Sequence, residues 1–260
     1  MTGRNRRRRG LRQAAALLLI ATSSGCTTVP PAPAPMRTVD VPGIASSACT
    51  VVLFAGRGGS PEDFLHHGFI ERARAAGLEA RFLLADANLA YFLKQTLITR
   101  LHDDVIAPLR ARGQSCVWLA GISLGATAAL LYAAEHPRDI QGIVALSPYL
   151  GDRQVRLEIE TAGGLAHWSA SRSRANAFDR AIWQAVSRLS DPAETVPIFL
   201  GYGSFDRFSR SQALLAGLLP RDQVVTLWGG HSWRIWKHLW SIECQRGRMR
   251  SAGSSRRTGR

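Results

Sequence analysis

A serine set between glycines, Gly121-Ile122-Ser123-Leu124-Gly125, is the first feature of this 260-residue sequence suited to chemistry. A serine hydroxyl is too weakly acidic to attack a carbonyl unaided. It needs a general base within hydrogen-bond reach and a carboxylate to orient that base. Downstream, Asp206 follows Gly203-Ser204-Phe205 and His231 follows Gly229-Gly230, each just after an apolar run. Serine, then acid, then histidine is one of the chain orders in which such a constellation is built. Asp152, which follows the apolar run ending near Ser147, is the rival for the acid. Attack on a carbonyl also needs backbone N–H groups aimed at the developing oxyanion. Leu124, next after the serine, and Arg57, inside Gly56-Arg57-Gly58-Gly59, stand where such donors are expected.

Positioning these residues requires strands that end together. Apolar runs at 50–55, 79–85, 116–120, 142–147, 197–202 and 223–228 read as buried strands. Helical patterns separate them at 60–76, 90–112, 123–135, 209–219 and after His231, with a mostly helical stretch over 152–192. Strands alternating with helices predict an α/β fold: a mostly parallel sheet of about six strands, helices on both faces, and active groups at the strand C-termini. The run Cys-Val-Trp-Leu-Ala leads straight into Gly121, and Ala-Thr-Ala-Ala-Leu-Leu leaves Gly125, so Ser123 sits in a strand–turn–helix setting. His66 and His67 are adjacent on a helix and face different directions, and no carboxylate or Cys completes a tetrahedral set at known spacing, so no metal site is expected in the chain. Trp233, Trp236 and Trp240 recur at helical spacing and read as core; the same reading holds for Trp168 and Trp183, with lining an acyl pocket as the alternative because they fall in the lid-like segment.

Together the strand into the Gly-rich loop (Leu53 to Gly59), the elbow around Ser123, the turn at Asp206 and the loop Gly229-Gly230-His231-Ser232-Trp233 resemble the α/β-hydrolase superfamily, in particular small serine esterases of the esterase-D-like and carboxylesterase type. The resemblance spans residues 50–242. It implies cleavage of a small-molecule carboxylic ester or thioester through an acyl-enzyme, without a cofactor, by Ser123, Asp206 and His231 with the Arg57 and Leu124 amides as the oxyanion hole. The alternatives are a catalytically silent binding protein on the same fold and an acyltransferase using the same residues. Ala55 stands where such enzymes commonly carry His, no counterpart of their two leading antiparallel strands is visible before residue 50, and the lid-like segment 152–192 is short. In this fold the strands that begin near Cys49 and Cys116 are neighbours, which implies a disulfide between them; two buried thiols are the alternative.

Charge describes location more than chemistry. The chain carries 33 Lys+Arg against 19 Asp+Glu, a formal +14. Residues 1–25 hold six Arg and no acid, and residues 246–260 hold six more, so removing those twelve leaves the body near neutral. A nucleic-acid reader is therefore not expected. The Arg run at 4–12, the apolar stretch 14–21 and the small residues up to Gly25 describe an export signal over 1–25. Gly25-Cys26 resembles a bacterial lipobox, with Ser23 where Leu is usual, so Cys26 is expected to carry lipid and anchor the exported protein to a bacterial membrane, on the periplasmic or cell-surface side. Residues 26–45 then read as a Pro/Ala-rich tether, 46–243 as the catalytic domain and 244–260 as a basic disordered tail able to touch anionic lipid.

Overall fold

The structure, a computed structural model, describes residues 31–43, 49–191 and 196–249. The segment expected to be an export signal, and Cys26, lie outside the described residues. Seven strands form one sheet: β1 (Thr38–Val41), β2 (Cys49–Phe54), β3 (Arg81–Ala85), β4 (Cys116–Ile122), β5 (Gly142–Leu146), β6 (Ile198–Gly203) and β7 (Val224–Leu227). Their order is β1-β3-β2-β4-β5-β6-β7, parallel except for β1, which runs antiparallel to β3. The chain therefore builds outward from β2 to β3, then reverses and builds through β4 to β7. The reversal point lies between β2 and β4, where an open α/β sheet leaves a crevice beyond the strand C-termini.

The helices are α1 (Asp63–His66), α2 (Phe69–Ala75), α3 (Leu89–Leu93), α4 (Leu97–Leu101), α5 (Ala107–Ala111), α6 (Leu124–Glu135), α7 (Arg153–Thr161), α8 (Ala177–Leu189), α9 (Ser209–Ala216) and α10 (Trp233–Gln245). One π turn, His102–Ile106, joins α4 to α5. β2, β4 and β5 are buried along their whole length, as continuous apolar runs covered on both faces must be. One face is packed by α4, α6 and α8 through Leu97, Leu101, Leu130 and Trp183, the other by α1, α2 and α10 through Phe64, Phe69, Leu239 and Trp240. Helix α6 lies between sheet and neighbours, so its small residues are buried on nearly every side. Among the described residues no helix is long and apolar enough to cross a membrane.

The structure sharpens or corrects five expectations. The sheet has seven strands rather than six, because β1 falls in the segment read as tether. Its four residues are half exposed and carry no apolar run, so periodicity does not reveal it. Tertiary bonds hold it: Arg81 pairs with Asp40 at 2.7 Å and Arg37 with Glu62 at 2.6 Å. The preceding prolines are docked as well, with Tyr91 Oη donating to the Pro33 carbonyl at 2.7 Å. The helix expected over 60–76 breaks at Gly68, which adopts φ 69°, and the pattern over 90–112 breaks at Gln95, φ 56°. The second half of the lid-like segment is a core helix: α8 packs against α6, and Trp183 is fully buried with its Nε1 donating to the Leu150 carbonyl at 2.8 Å. Finally, the tail does not leave the body at residue 244. Helix α10 runs to Gln245, Cys244 and Met249 are buried, and Arg248 lies over the Phe199 ring at 4.3 Å.

Candidate active site

The elbow is built by contacts that forbid side chains. A Cβ on Gly125 would lie 2.1 Å from the Phe54 carbonyl oxygen and 2.4 Å from that of Ala55, and one on Gly121 would lie 2.4 Å from the Gly125 carbonyl. Both glycines are thus dictated by the approach of α6 to β2 and β4. Between them Ser123 adopts φ 53° and ψ −118°, a strained conformation for a residue with a Cβ, of the kind held at functional sites at ~1–3 kcal/mol each. Neighbouring backbone fixes it: its N–H donates to the Leu146 carbonyl at 2.9 Å, and its carbonyl accepts from the Thr127 and Tyr149 N–H groups, both at 3.2 Å. Thr127 Oγ1 donates to the Tyr149 carbonyl at 2.5 Å and locks the same turn.

Asp206 and His231 are brought together by two zipped loops. After β6 and β7, the Ser204 N–H donates to the Leu227 carbonyl at 2.8 Å and the Phe205 N–H to the Gly229 carbonyl at 2.9 Å. Gly203 makes this possible, since a Cβ there would stand 2.2 Å from the Gly229 oxygen. Asp206 then lies with Oδ2 2.7 Å from His231 Nδ1, while His231 Nε2 lies 3.0 Å from Ser123 Oγ. Asp206 is almost wholly buried. Burial opposes its charge, but the bonds from His231 and from the Phe208 N–H at 2.9 Å outweigh it and hold the carboxyl below its ordinary pKa. The imidazole is walled edge-on by Trp236 at 4.9 Å and Phe208 at 5.2 Å.

Asp152, the rival acid, is exposed and caps α7, accepting from the Gln154 N–H at 2.7 Å. Leu124 opens α6, so its N–H is one of the donors that a helix start leaves without an intrahelical partner. Arg57 is exposed at the second position of a turn closed by the Gly59 N–H on the Gly56 carbonyl at 3.0 Å, with Gly58 at φ 77°. A Cβ on Gly56 would come within 3.3 Å of Ser123 Cβ, so this loop and the elbow abut. Cys49 and Cys116 are paired in a disulfide at the opposite ends of β2 and β4 from Ser123, with Cα atoms 4.6 Å apart. Of the two tryptophans for which an acyl pocket is the alternative, Trp183 is core. Trp168 lines a separate cavity of about 550 Å³ with Glu158, His167 and Arg172, to which none of Ser123, Asp206 and His231 contributes. Thr127, Tyr149 and Phe208, which hold the site from behind, carry no motif. Gly203 is their one visible signal, a glycine where a strand would otherwise favour a side chain.

The family model of the Esterase family, described as "Putative esterase", matches residues 84–241, more than half of the chain. A comparison with curated protein sequences found no match. Among solved structures, the chain is similar to Est1E from Butyrivibrio proteoclasticus (14% identity, TM-score 0.55, 82% of this chain and 92% of that one). It is also similar to a monoacylglycerol lipase from Paleococcus ferrophilus (14%, TM-score 0.57, 82% and 98%). An S-formylglutathione hydrolase from Agrobacterium tumefaciens aligns comparably (14%, TM-score 0.54, 83% and 90%). At these identities the structures speak for the α/β-hydrolase fold alone, whereas the family match carries the activity: the chain belongs to the Esterase family and is an enzyme that hydrolyses small-molecule esters.

Proposed function

We propose that the enzyme is a serine hydrolase working through an acyl-enzyme. One observation carries this reading: the unbroken line from Ser123 Oγ through both ring nitrogens of His231 to Asp206, with successive separations of 3.0 and 2.7 Å. Asp206 accepts a hydrogen bond from Nδ1–H and stays ionised, which fixes the tautomer with Nε2 free to accept the proton of Ser123 Oγ as that oxygen attacks the ester carbonyl. The Leu124 and Arg57 N–H groups stabilise the oxyanion, and the N-terminus of α6 adds a favourable field. Collapse expels the alcohol, or the thiol of a thioester, which takes the proton from His231. Water then enters by the reverse steps and releases the acid. An intact, buried and mutually bonded set argues against a silent scaffold. Wild-type protein is expected to hydrolyse p-nitrophenyl esters and to be labelled by a fluorophosphonate probe, with both lost in Ser123→Ala. Wild-type protein that does neither would refute the proposal.

The reading includes export and lipid anchoring at Cys26. Its support is the N-terminal Arg run, the apolar stretch, the Gly25-Cys26 junction and a disulfide suited to an oxidising compartment. Cys26→Ser is expected to move esterase activity from the membrane fraction to the soluble fraction of expressing bacteria; unchanged partition would overturn the anchor.

A further inference from the structure

Far from Ser123, three side chains converge that the hydrolase reading does not use. His102 opens the π turn between α4 and α5, His136 follows the last residue of α6, and Asp139 lies three residues further on. Asp139 Oδ2 is 3.6 Å from His102 Nδ1 and 3.7 Å from His136 Nδ1, and one donor atom from each of the three residues lies within 4.8 Å of the others. The His102 ring stacks on His136 with centroids 4.7 Å apart, and His136 in turn stacks on Tyr132 at 4.9 Å. All three donors are half-buried, accessible to a small ion but held by packing.

We propose that His102, His136 and Asp139 bind one divalent transition-metal ion of the zinc class. Donors arranged tetrahedrally about an ion at ~2.0–2.2 Å stand about 3.4 Å apart, close to the two histidine–carboxylate separations already present. The His–His edge closes when the stacked rings, now 16° from parallel, splay toward a common point. Two imidazoles and one carboxylate suit zinc, nickel or copper rather than magnesium or calcium, and three protein ligands leave a fourth position for water. A second layer is in place. Tyr132 is fully buried, and its Oη donates to Asp139 Oδ2 at 2.9 Å while standing 3.2 Å from His102 Nδ1. That hydrogen bond orients the carboxylate. The neighbouring acids are committed elsewhere: Asp103 and Asp104 pair with Arg100 at 2.8 and 3.1 Å. A π turn inserted in a helix is itself a frequent mark of a functional site. With twelve residues of α6 between His136 and Ser123, about 18 Å of helix, the ion would staple the α4–α5 segment to the end of α6 rather than join the hydrolysis.

The test is equilibrium dialysis of the chelator-stripped full chain against Zn²⁺ alone, with Co²⁺ as a spectroscopic probe. Wild type is expected to bind one Zn²⁺ per chain, to rise in Tm on binding, and to give the intense visible bands of four-coordinate Co²⁺. His102→Gln and Asp139→Asn are each expected to weaken Zn²⁺ binding at least tenfold, and Tyr132→Phe about tenfold. Esterase activity of metal-free His102→Gln should equal that of wild type, which also reports that this variant folds. Substoichiometric Zn²⁺ on wild type, or equal binding by wild type, His102→Gln and Asp139→Asn, would overturn the site. Because the wild-type stoichiometry and Co²⁺ spectrum need no variant, a misfolded substitution cannot hide a negative result.

Discussion

Removing the disulfide puts a number on how the fold is held. Cys49 and Cys116 are 67 residues apart in sequence, so the bond closes a loop of that length in the unfolded chain. In the chain-entropy treatment, closing such a loop removes about 15 cal/mol/K from the unfolded ensemble, or ~4.4 kcal/mol at 25 °C. For a domain of this size that corresponds to a fall in Tm of roughly 9–18 °C. Both sulfurs are buried, so the double variant Cys49→Ala/Cys116→Ala also loses packing, and ~4.4 kcal/mol is the smaller side of the expectation. Guanidinium unfolding followed by tryptophan fluorescence measures it, and the slope of free energy against denaturant discriminates the cause. Loss of a cross-link expands the unfolded state and steepens the slope, whereas loss of packing alone leaves it unchanged. Because the bond sits at the strand ends remote from Ser123, kcat at 20 °C should be retained. A fall below ~1 kcal/mol with an unchanged slope would refute the reasoning.

Two other perturbations address the site. Asp206→Asn keeps the shape but loses the orienting charge, so kcat should fall about 10⁴-fold with little change in KM. The native pKa of Asp206 is depressed, so its carboxylate stabilises the fold above the unfolded value near 3.9, and that contribution is lost as pH falls through the lower native value. Unfolding free energy of Asp206→Asn should accordingly depend less steeply on pH below 4 than wild type; parallel curves would contradict the assignment. Gly125→Ala drives a methyl to 2.1 Å from the Phe54 oxygen and 2.4 Å from the Ala55 oxygen, which only a backbone shift relieves. More than ~3 kcal/mol of stability and all fluorophosphonate labelling should be lost, and a wild-type Tm would show that α6 does not need that approach.

The parts legible in the sequence are those where backbone geometry dictates a residue type. Gly121 and Gly125 announce the elbow because any side chain there meets backbone at 2.4 Å or less. Asp206 and His231 were placed by the apolar runs that precede them and the glycines that turn the chain. The choice between Asp206 and Asp152 was not legible from spacing, because both follow strands. It depends on the zipping of the β6 and β7 loops and on the capping of α7, which are tertiary facts. β1 was hidden because ion pairs to Arg37 and Arg81 replace the apolar pattern that normally marks a strand. Trp183 and Trp168 were not separable by sequence, because a buried tryptophan reads the same in a core as in a pocket. The cluster of His102, His136 and Asp139 had no local signature, since His102 reaches it only through packing of the α4–α5 segment on α6.

The two ends of one strand pair connect stability to chemistry. The β2–β4 ladder pairs Cys49 with Cys116 at its start and Phe54 with Gly121 at its end, five residues or about 17 Å away. Just beyond that end lie the Arg57 turn on one strand and Ser123 with Leu124 on the other. A slip of one residue would shift these elements by ~3.3 Å and turn the side chains of one strand to the opposite face. Two amides that must meet one oxyanion, as proposed for Arg57 and Leu124, cannot tolerate that displacement, because their donor distances are confined to about 2.7–3.1 Å. The disulfide closes the ladder in the one register that also lets Gly125 approach the Phe54 and Ala55 carbonyls. Oxidation at the remote end therefore favours, among all pairings of these two strands, the pairing that sets the Arg57 turn beside Ser123 and Leu124. Its influence on activity should appear in the fraction of chains that reach the native register rather than in the turnover of those that have reached it.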